Sequence, residues 1–141
     1  EEMVLQSVWL NIPVKNVETS KKFFLAIGFE LNPEFGNGSD TMACLQISEK
    51  KFIVMLCQIE IFQGFTNFPI SDTSIGSEML ISMDAQSDEE VDEFANRVEK
   101  AGGQIIGKGL KDGWIYGFGF TDLDGHRWNI IHMDFAKVPP K

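Results

Sequence analysis

The stretch Tyr116-Gly-Phe-Gly-Phe-Thr-Asp-Leu-Asp-Gly-His-Arg-Trp-Asn-Ile-Ile131 consists of two apolar runs separated by the turn-forming residues 122–125. The dipeptide Asp-Gly between such runs favours a tight hairpin, because glycine accepts the positive φ that a turn between twisted strands requires. The sequence therefore predicts two strands, over residues 115–121 and 127–133. We interpret this hairpin as the last part of a structural unit that the chain builds twice.

The residues before the hairpin predict a strand, a helix and a further strand. Residues 78–85, beginning with Glu78, alternate as a strand. Ser87 and Glu90 have the spacing of a capping box, in which two side chains satisfy free amide groups at the start of a helix. Apolar residues at helical spacing follow, up to the glycine pair 102–103, which is typical of a helix end. A modest strand is expected after this pair.

The first half of the chain has the same order. Residues 8–14 alternate as a strand that includes Trp9. Asn16 and Gly28 are typical of the two ends of a helix, which we expect over residues 17–27. Three strands follow, over residues 30–35, 41–48 and 52–58, with turns at Gly36-Asn-Gly38 and at residues 49–51.

Residues 59–76 form a connection that is long for a compact domain and has no clear period. It contains Phe62, Phe65 and Phe68 among polar residues. We expect a loop in which these three rings either cover a cleft or fill the joint between the two halves.

The repeated order predicts an α+β fold made of two βαβββ modules. The modules are expected over about residues 3–58 and 77–134, joined by the loop 59–76, within a single domain over residues 3–135. Each module offers a curved mixed sheet with a helix on one face. We expect the two sheets to pair around a cleft that is lined by the faces without a helix.

The composition excludes several kinds of partner. The formal net charge of -9 repels a phosphate backbone, and no apolar run approaches the roughly 20 residues that span a bilayer. An export signal is not recognisable at the N-terminus. We therefore expect a cytoplasmic protein with neither nucleic-acid nor membrane partners. Cys44 and Cys57 lie in predicted strands without CxxC spacing, which favours buried reduced thiols over a disulfide or a metal site.

Three motifs accompany the repeat, namely Pro13-Val-Lys-Asn-Val-Glu-Thr-Ser-Lys-Lys-Phe-Phe24, Ala26-Ile-Gly-Phe29 and Phe120-Thr-Asp-Leu-Asp-Gly125. Over about residues 8–134 this ordered set resembles the vicinal oxygen chelate superfamily. That superfamily includes glyoxalase I, extradiol dioxygenases, fosfomycin-resistance thiol transferases, methylmalonyl-CoA epimerase and the bleomycin-binding proteins. The resemblance implies the paired-module fold and, as in many relatives, a homodimer.

Metal-dependent members of this superfamily carry ligands on four strands, and the resemblance assigns these positions to Trp9, residues 53–55, Glu78 and Asn129. Only Glu78 is a good ligand, because tryptophan has no lone pair to give, Met55 is a soft thioether and Asn129 offers a neutral carbonyl. A catalytic metal usually needs about three strong protein donors. We therefore predict neither a metal at the customary position nor another cofactor, although relatives of this fold use a divalent metal.

Without a metal, the same surface becomes a pocket for a small molecule. Its predicted walls are Trp9, Met55 and either Phe118 or its neighbours Tyr116 and Phe120, and its polar groups are Asn11, Glu78 and Asn129. Mostly apolar walls with a few polar groups are typical of ligand sites, although the same aromatic side chains also fit a filled core. Glu78 can pair with a cationic ligand, or act as a general base if desolvation raises its pKa.

The two histidines are expected outside this pocket. His126 follows the Asp-Gly turn, where solvent is the expected surrounding. His132 lies three residues beyond Asn129, so it should point to the opposite face of its strand, toward the helix.

Three functions fit these observations. The first is an intracellular small-molecule binding protein of the glyoxalase/bleomycin-resistance type without the usual metal. The second is an enzyme of the same fold, a metal-dependent lyase or isomerase resembling lactoylglutathione lyase, or a dioxygenase. The third is a dimeric scaffold with a filled cleft, and fold alone does not choose among the three.

Overall fold

The computed structural model describes residues 2–34, 39–49 and 52–141, and the chain divides into two units, Glu1–Ile70 and Ser71–Lys141. The first unit contains β1 (Trp9–Val14), α1 (Val17–Ile27), β2 (Glu30–Leu31), β3 (Met42–Ile47), β4 (Phe52–Gln58) and α2 (Ile59–Thr66). The second unit contains β5 (Leu80–Asp84), α3 (Asp88–Ala101), β6 (Gln104–Asp112), β7 (Ile115–Thr121), β8 (Arg127–Met133) and a short 3-10 helix (Phe135–Lys137). Both units show the predicted order of strand, helix and three strands, and α2 follows that order in the first unit.

The first unit is built around a four-stranded sheet with the order β1-β4-β3-β2. β1 runs parallel to β4, whereas β3 is antiparallel to both of its neighbours. α1 packs on β3 and β4 and buries Phe24 and Ile27, while Val54 and Leu56 of β4 are fully buried. The core of this unit therefore lies between α1 and one face of the sheet.

The ends of α1 confirm the two capping signals. The Oδ1 atom of Asn16 accepts a hydrogen bond from the Thr19 N–H at 2.9 Å, so the side chain satisfies a free donor in the first turn. Gly28 has a φ of 123° and donates its N–H to the Leu25 carbonyl at 3.2 Å. The helix bounds agree with the prediction because both signals are local.

The second unit repeats the topology, with the order β5-β8-β7-β6 and β5 parallel to β8. α3 packs against β6, β7 and β8. Beneath it, Phe120 and Trp128 are fully buried with their rings stacked at a centroid distance of 6.2 Å. The predicted β7–β8 hairpin is confirmed, and Gly125 in its turn has a φ of 84°.

α3 begins with the predicted capping box. The Glu90 N–H donates to the Ser87 hydroxyl oxygen at 3.0 Å, and the Glu90 carboxylate accepts from the Gln86 N–H at 3.0 Å. The Glu90 carboxylate thus accepts from the N–H of the residue that precedes the N-cap Ser87. The bond to Ser87 satisfies an amide group that the helix itself leaves without a partner, and the bond to Gln86 fixes the residue before the N-cap.

Replacing Ser87 with alanine is expected to lower the free energy of unfolding by about 1 kcal/mol, because the Glu90 N–H loses its acceptor. Urea unfolding should show a lower midpoint with an unchanged slope. Ser82→Ala, at an exposed position of β5, is the matched control and should stay within about 0.5 kcal/mol of the wild type. Equal losses in the two variants would contradict the capping role.

The connection between the predicted modules differs from the expected loop, because its first eight residues form α2. Phe62 of α2 is partly buried against the first sheet, whereas Phe65 and Phe68 are 64% and 75% exposed. No side chain caps the start of α2 with a hydrogen bond. The helix is instead stabilised by packing on β1 and β4. This packing cannot be predicted from the local sequence.

Two strands are shorter than predicted. β5 begins at Leu80, so Glu78 precedes the strand, and β2 contains only Glu30 and Leu31 of the expected residues 30–35. The predicted turn at Gly36-Asn-Gly38, together with Phe35, Lys50 and Lys51, lies outside the described residues.

Candidate functional site

The face of the second sheet that α3 does not cover is hereafter called the open face. In register, one row across it contains Ser82, Asn129 and Gly119, and the next contains Leu80, Arg127 and Thr121. Leu80 is 55% exposed, and Asn129 and Arg127 are half-buried. Glycine at 119 adds no side chain beside Asn129, so this part of the face is open as well as polar.

Tyr116 and Phe118, two predicted pocket residues, lie on the opposite face from Asn129. Phe118 pairs with Ile130 and is 4% exposed, and Tyr116 pairs with His132. Side chains alternate along a strand, so these residues share the face of Phe120 beneath α3. The grouping of both aromatic residues with Asn129 is therefore corrected, because glycines rather than aromatic residues of β7 line the open face.

Polar contacts join α3 to its side of the sheet. The Tyr116 hydroxyl donates to Asp92 at 2.5 Å, and Nδ1 of His132 lies 2.8 Å from Asp88 Oδ1. The hydrogen bonds from His132 and from Lys111 hold the pKa of the Asp88 carboxyl below its ordinary value. His132 faces the helix, as predicted, and has a structural role here.

In the first sheet, three predicted pocket residues share a face. Trp9 pairs with Ile53 and Asn11 pairs with Met55, so Trp9, Asn11 and Met55 point to the side away from α1. Trp9 is 54% exposed, whereas Met55 is 9% exposed. The face therefore offers an indole at its accessible end and is closed near Met55.

The closed part of this face is a cluster of Cys44, Met55 and Cys57 against which Ile61 and Phe62 of α2 pack. Both cysteines are free and buried, as predicted. Burial raises the pKa of the Cys57 thiol to about 11 and also raises the pKa of Cys44. These thiols are therefore neutral near pH 7 and poorly suited to nucleophilic or metal-binding chemistry.

Glu78, the predicted catalytic residue, is exposed in the segment before β5. Its role as a general base was predicted from burial, whereas the structure places it at the surface. Pairing with a ligand cation, which does not need burial, stays a prediction.

Asp122 organises the β7–β8 turn, a role that the sequence reasoning missed. Its Oδ1 accepts from the N–H groups of Asp124 and His126 at 2.9 and 3.0 Å, and its Oδ2 accepts from Trp128 Nε1 at 2.9 Å. Burial raises the pKa of this carboxyl, whereas the charge of His126 and the hydrogen bond from Trp128 lower it. The Thr73 hydroxyl donates to the Asp124 carbonyl at 2.6 Å and fixes the turn from outside.

The residues at the positions implied for metal ligands do not fit a divalent cation. Trp9, Met55 and Asn129 supply an indole, a thioether and a neutral amide, none of which offsets the dehydration of such an ion. Among the residues that the structure describes, no group of three or more His, Cys, Asp or Glu side chains is arranged to hold a metal.

Comparison with protein families gives one match, to the family described as bleomycin resistance protein-like N-terminal, over residues 6–48. These residues include β1, α1, β2 and β3. No curated protein matches the chain at a significant level.

Comparison with solved structures gives full-length matches. The hypothetical protein SA1046 from S. aureus is 32% identical, with 92% of this chain and 95% of that chain covered and a TM-score of 0.81. A glyoxalase/bleomycin resistance protein/dioxygenase family enzyme from Burkholderia phytofirmans PsJN is 18% identical, with 89% and 97% covered and a TM-score of 0.73. TnmS3, an antibiotic binding protein from Streptomyces sp. CB03234, is 18% identical, with 94% and 100% covered and a TM-score of 0.66.

In the part of the chain that the structure describes, no helix is both long enough and apolar enough to cross a membrane.

Proposed function

Because the chain belongs to the vicinal oxygen chelate superfamily, we propose that it binds a small, partly aromatic or apolar molecule without the catalytic metal that is customary there. The observation that carries this proposal is the chemistry of Trp9, Met55 and Asn129 at the positions implied for metal ligands. Removing strong donors while keeping the fold leaves a surface suited to binding rather than to Lewis-acid chemistry.

The first sheet supports this proposal with an aromatic platform. Trp9 is more than half exposed at the start of β1, and Asn11 lies two residues further along the same face. An exposed indole offers a large flat contact area at a small cost in conformational entropy, and an adjacent amide can orient a polar group of the ligand. The structural neighbour TnmS3, an antibiotic binding protein, supports the proposal as a binding protein of similar fold.

A thermal-shift screen of the tag-free protein tests the proposal. A collection of planar aromatic compounds, antibiotics among them, should contain a ligand that raises the melting temperature in proportion to the logarithm of its concentration. Metal analysis of the same sample should find no stoichiometric divalent ion. Turnover of methylglyoxal with a thiol that a chelator abolishes would contradict the proposal and favour the enzyme. The homodimer stays a prediction that sedimentation velocity tests.

Replacing Trp9 with alanine is expected to weaken binding of such a ligand by about tenfold or more, because the indole supplies most of the accessible aromatic area on this face. The melting temperature of the free protein should change little, since the residue is half exposed. Phe65→Ala, which removes an exposed ring of α2, is the matched control. Unchanged affinity in Trp9→Ala, measured by calorimetry, would exclude the first sheet as the binding surface.

A further inference from the structure

Arg127 begins β8 on the open face, between Leu80 of β5 and Thr121 of β7. Its Nε atom is buried and has no hydrogen-bond partner among the described residues. Three other cations of the second unit are paired: Arg97 with Glu93, Lys108 with Glu99 and Lys111 with Asp88. Arg127 thus differs from its neighbours in carrying a desolvated donor without an acceptor.

A buried donor without an acceptor is costly, because it loses water and gains no bond in return. A guanidinium that is half-buried on the face of a sheet normally satisfies its N–H groups with a carboxylate. Since none of the described residues places an acceptor at Nε, an acceptor from a bound molecule accounts for this arrangement better than packing does.

The surroundings of Arg127 fit an anion. The same row ends in Gln104, and the next row contains Ser82 and Asn129, so hydroxyl and amide groups flank the guanidinium. Asp84 shares the open face but lies four residues from Leu80 along β5, about 13 Å at the rise of a strand. Many acidic residues of this unit are on α3, which packs against the other side of the sheet.

We propose that the open face binds the oxyanion group of a small molecule, a carboxylate or a phosphate, with Arg127 donating from Nε and one Nη. This side-on fork matches two oxygens of either group, and Ser82, Thr121 and Asn129 supply further hydrogen bonds. Leu80 and Ile106, both partly exposed on the same face, contact an apolar body attached to the anion. The inference rests on the proposed function and adds to it a ligand class, an apolar or aromatic acid.

Titration by two-dimensional ¹H–¹⁵N NMR tests the site with benzoate and phenyl phosphate, and benzamide serves as the neutral analogue. The Nε–Hε signal of Arg127 reports directly on the predicted bond. Addition of an anion should shift this signal, and benzamide should bind at least tenfold more weakly. Acetate and inorganic phosphate, titrated separately, show which oxyanion the fork prefers.

Arg127→Gln should lose binding of the anion by about tenfold or more, and Arg127→Lys should recover only part of it, because lysine keeps the charge but not the fork. Arg97→Gln, which removes an arginine of α3 paired with Glu93, is the matched control and should bind as the wild type does. Melting curves establish that each variant is folded. The comparison of anions with benzamide uses only the wild-type protein. It therefore tests the site even if a variant fails to fold.

Equal binding of benzoate and benzamide, or full affinity in Arg127→Gln, would overturn the anion site while small-molecule binding stands. Anion binding through Arg127 together with a failed aromatic screen would support the site and contradict the proposed apolar ligand. Absence of any shift of the Nε–Hε signal with all four anions would also overturn the site.

Discussion

Asp122→Ala is expected to lower the free energy of unfolding by about 3 kcal/mol, although the residue is in a surface turn. One carboxylate accepts hydrogen bonds from two backbone N–H groups of the turn and from the indole of Trp128. Trp128 is fully buried, so water cannot replace the lost acceptor at its Nε1. The variant therefore leaves a buried donor unsatisfied and loosens the turn that joins β7 to β8.

Urea unfolding followed by circular dichroism measures this loss of stability. One further variant tests the hydrogen bond to the indole, and a second is the control. Asp122→Asn keeps one oxygen for the backbone donors but turns an amide toward the indole N–H, so an intermediate loss is expected. Asp84→Ala removes an exposed aspartate at the end of β5 and should stay within about 0.5 kcal/mol of the wild type. A wild-type stability in Asp122→Ala would show that the turn does not depend on the carboxylate.

Local signals in the sequence predicted much of the fold. Asn16 and Gly28 mark the ends of α1, and Ser87 with Glu90 marks the start of α3, because capping depends on residues only a few positions apart. The Asp-Gly turn predicted the hairpin for the same reason. Repetition of this order then identified two similar units.

Features that depend on packing could not be read in the same way. α2 has no capping side chain and no distinctive period, and it forms where Ile61 and Phe62 bury against the first sheet. Tyr116, Phe118 and Phe120 belong to one alternating set of β7, and alternation alone does not say which face of the sheet α3 covers. Tyr116 and Phe118 were therefore assigned to the wrong face.

The candidate site was predictable only in part. Trp9, Asn11 and Met55 were grouped correctly on one face because β1 and β4 alternate regularly. Arg127 was missed, although its spacing of two residues from Asn129 placed both on one face. The missing information was whether the Nε atom of Arg127 has a hydrogen-bond partner, which depends in part on β5, a strand that is distant in sequence.

Gly117→Ala is expected to lower the free energy of unfolding by about 2 to 3 kcal/mol, because a methyl group at this position overlaps the neighbouring strand. A Cβ atom on Gly117 meets the backbone carbonyl of Ile130 and the side chain of Ile131, both in β8. The carbonyl belongs to a paired backbone and cannot move without disturbing the β7–β8 ladder. Differential scanning calorimetry should show a lower melting temperature.

Gly119→Ala is the matched control, since it adds the same atom two residues further along the same strand. There the nearest atom to the new Cβ is the Asn129 side-chain oxygen at 3.1 Å, and a side chain can rotate by a few tenths of an ångström. We expect a loss below about 1 kcal/mol, because alanine also favours a strand more than glycine does. Equal losses of unfolding free energy at the two positions would mean that close packing of β7 on β8 does not require glycine at position 117. A larger loss at Gly117 would show that close packing of β7 on β8 requires glycine there.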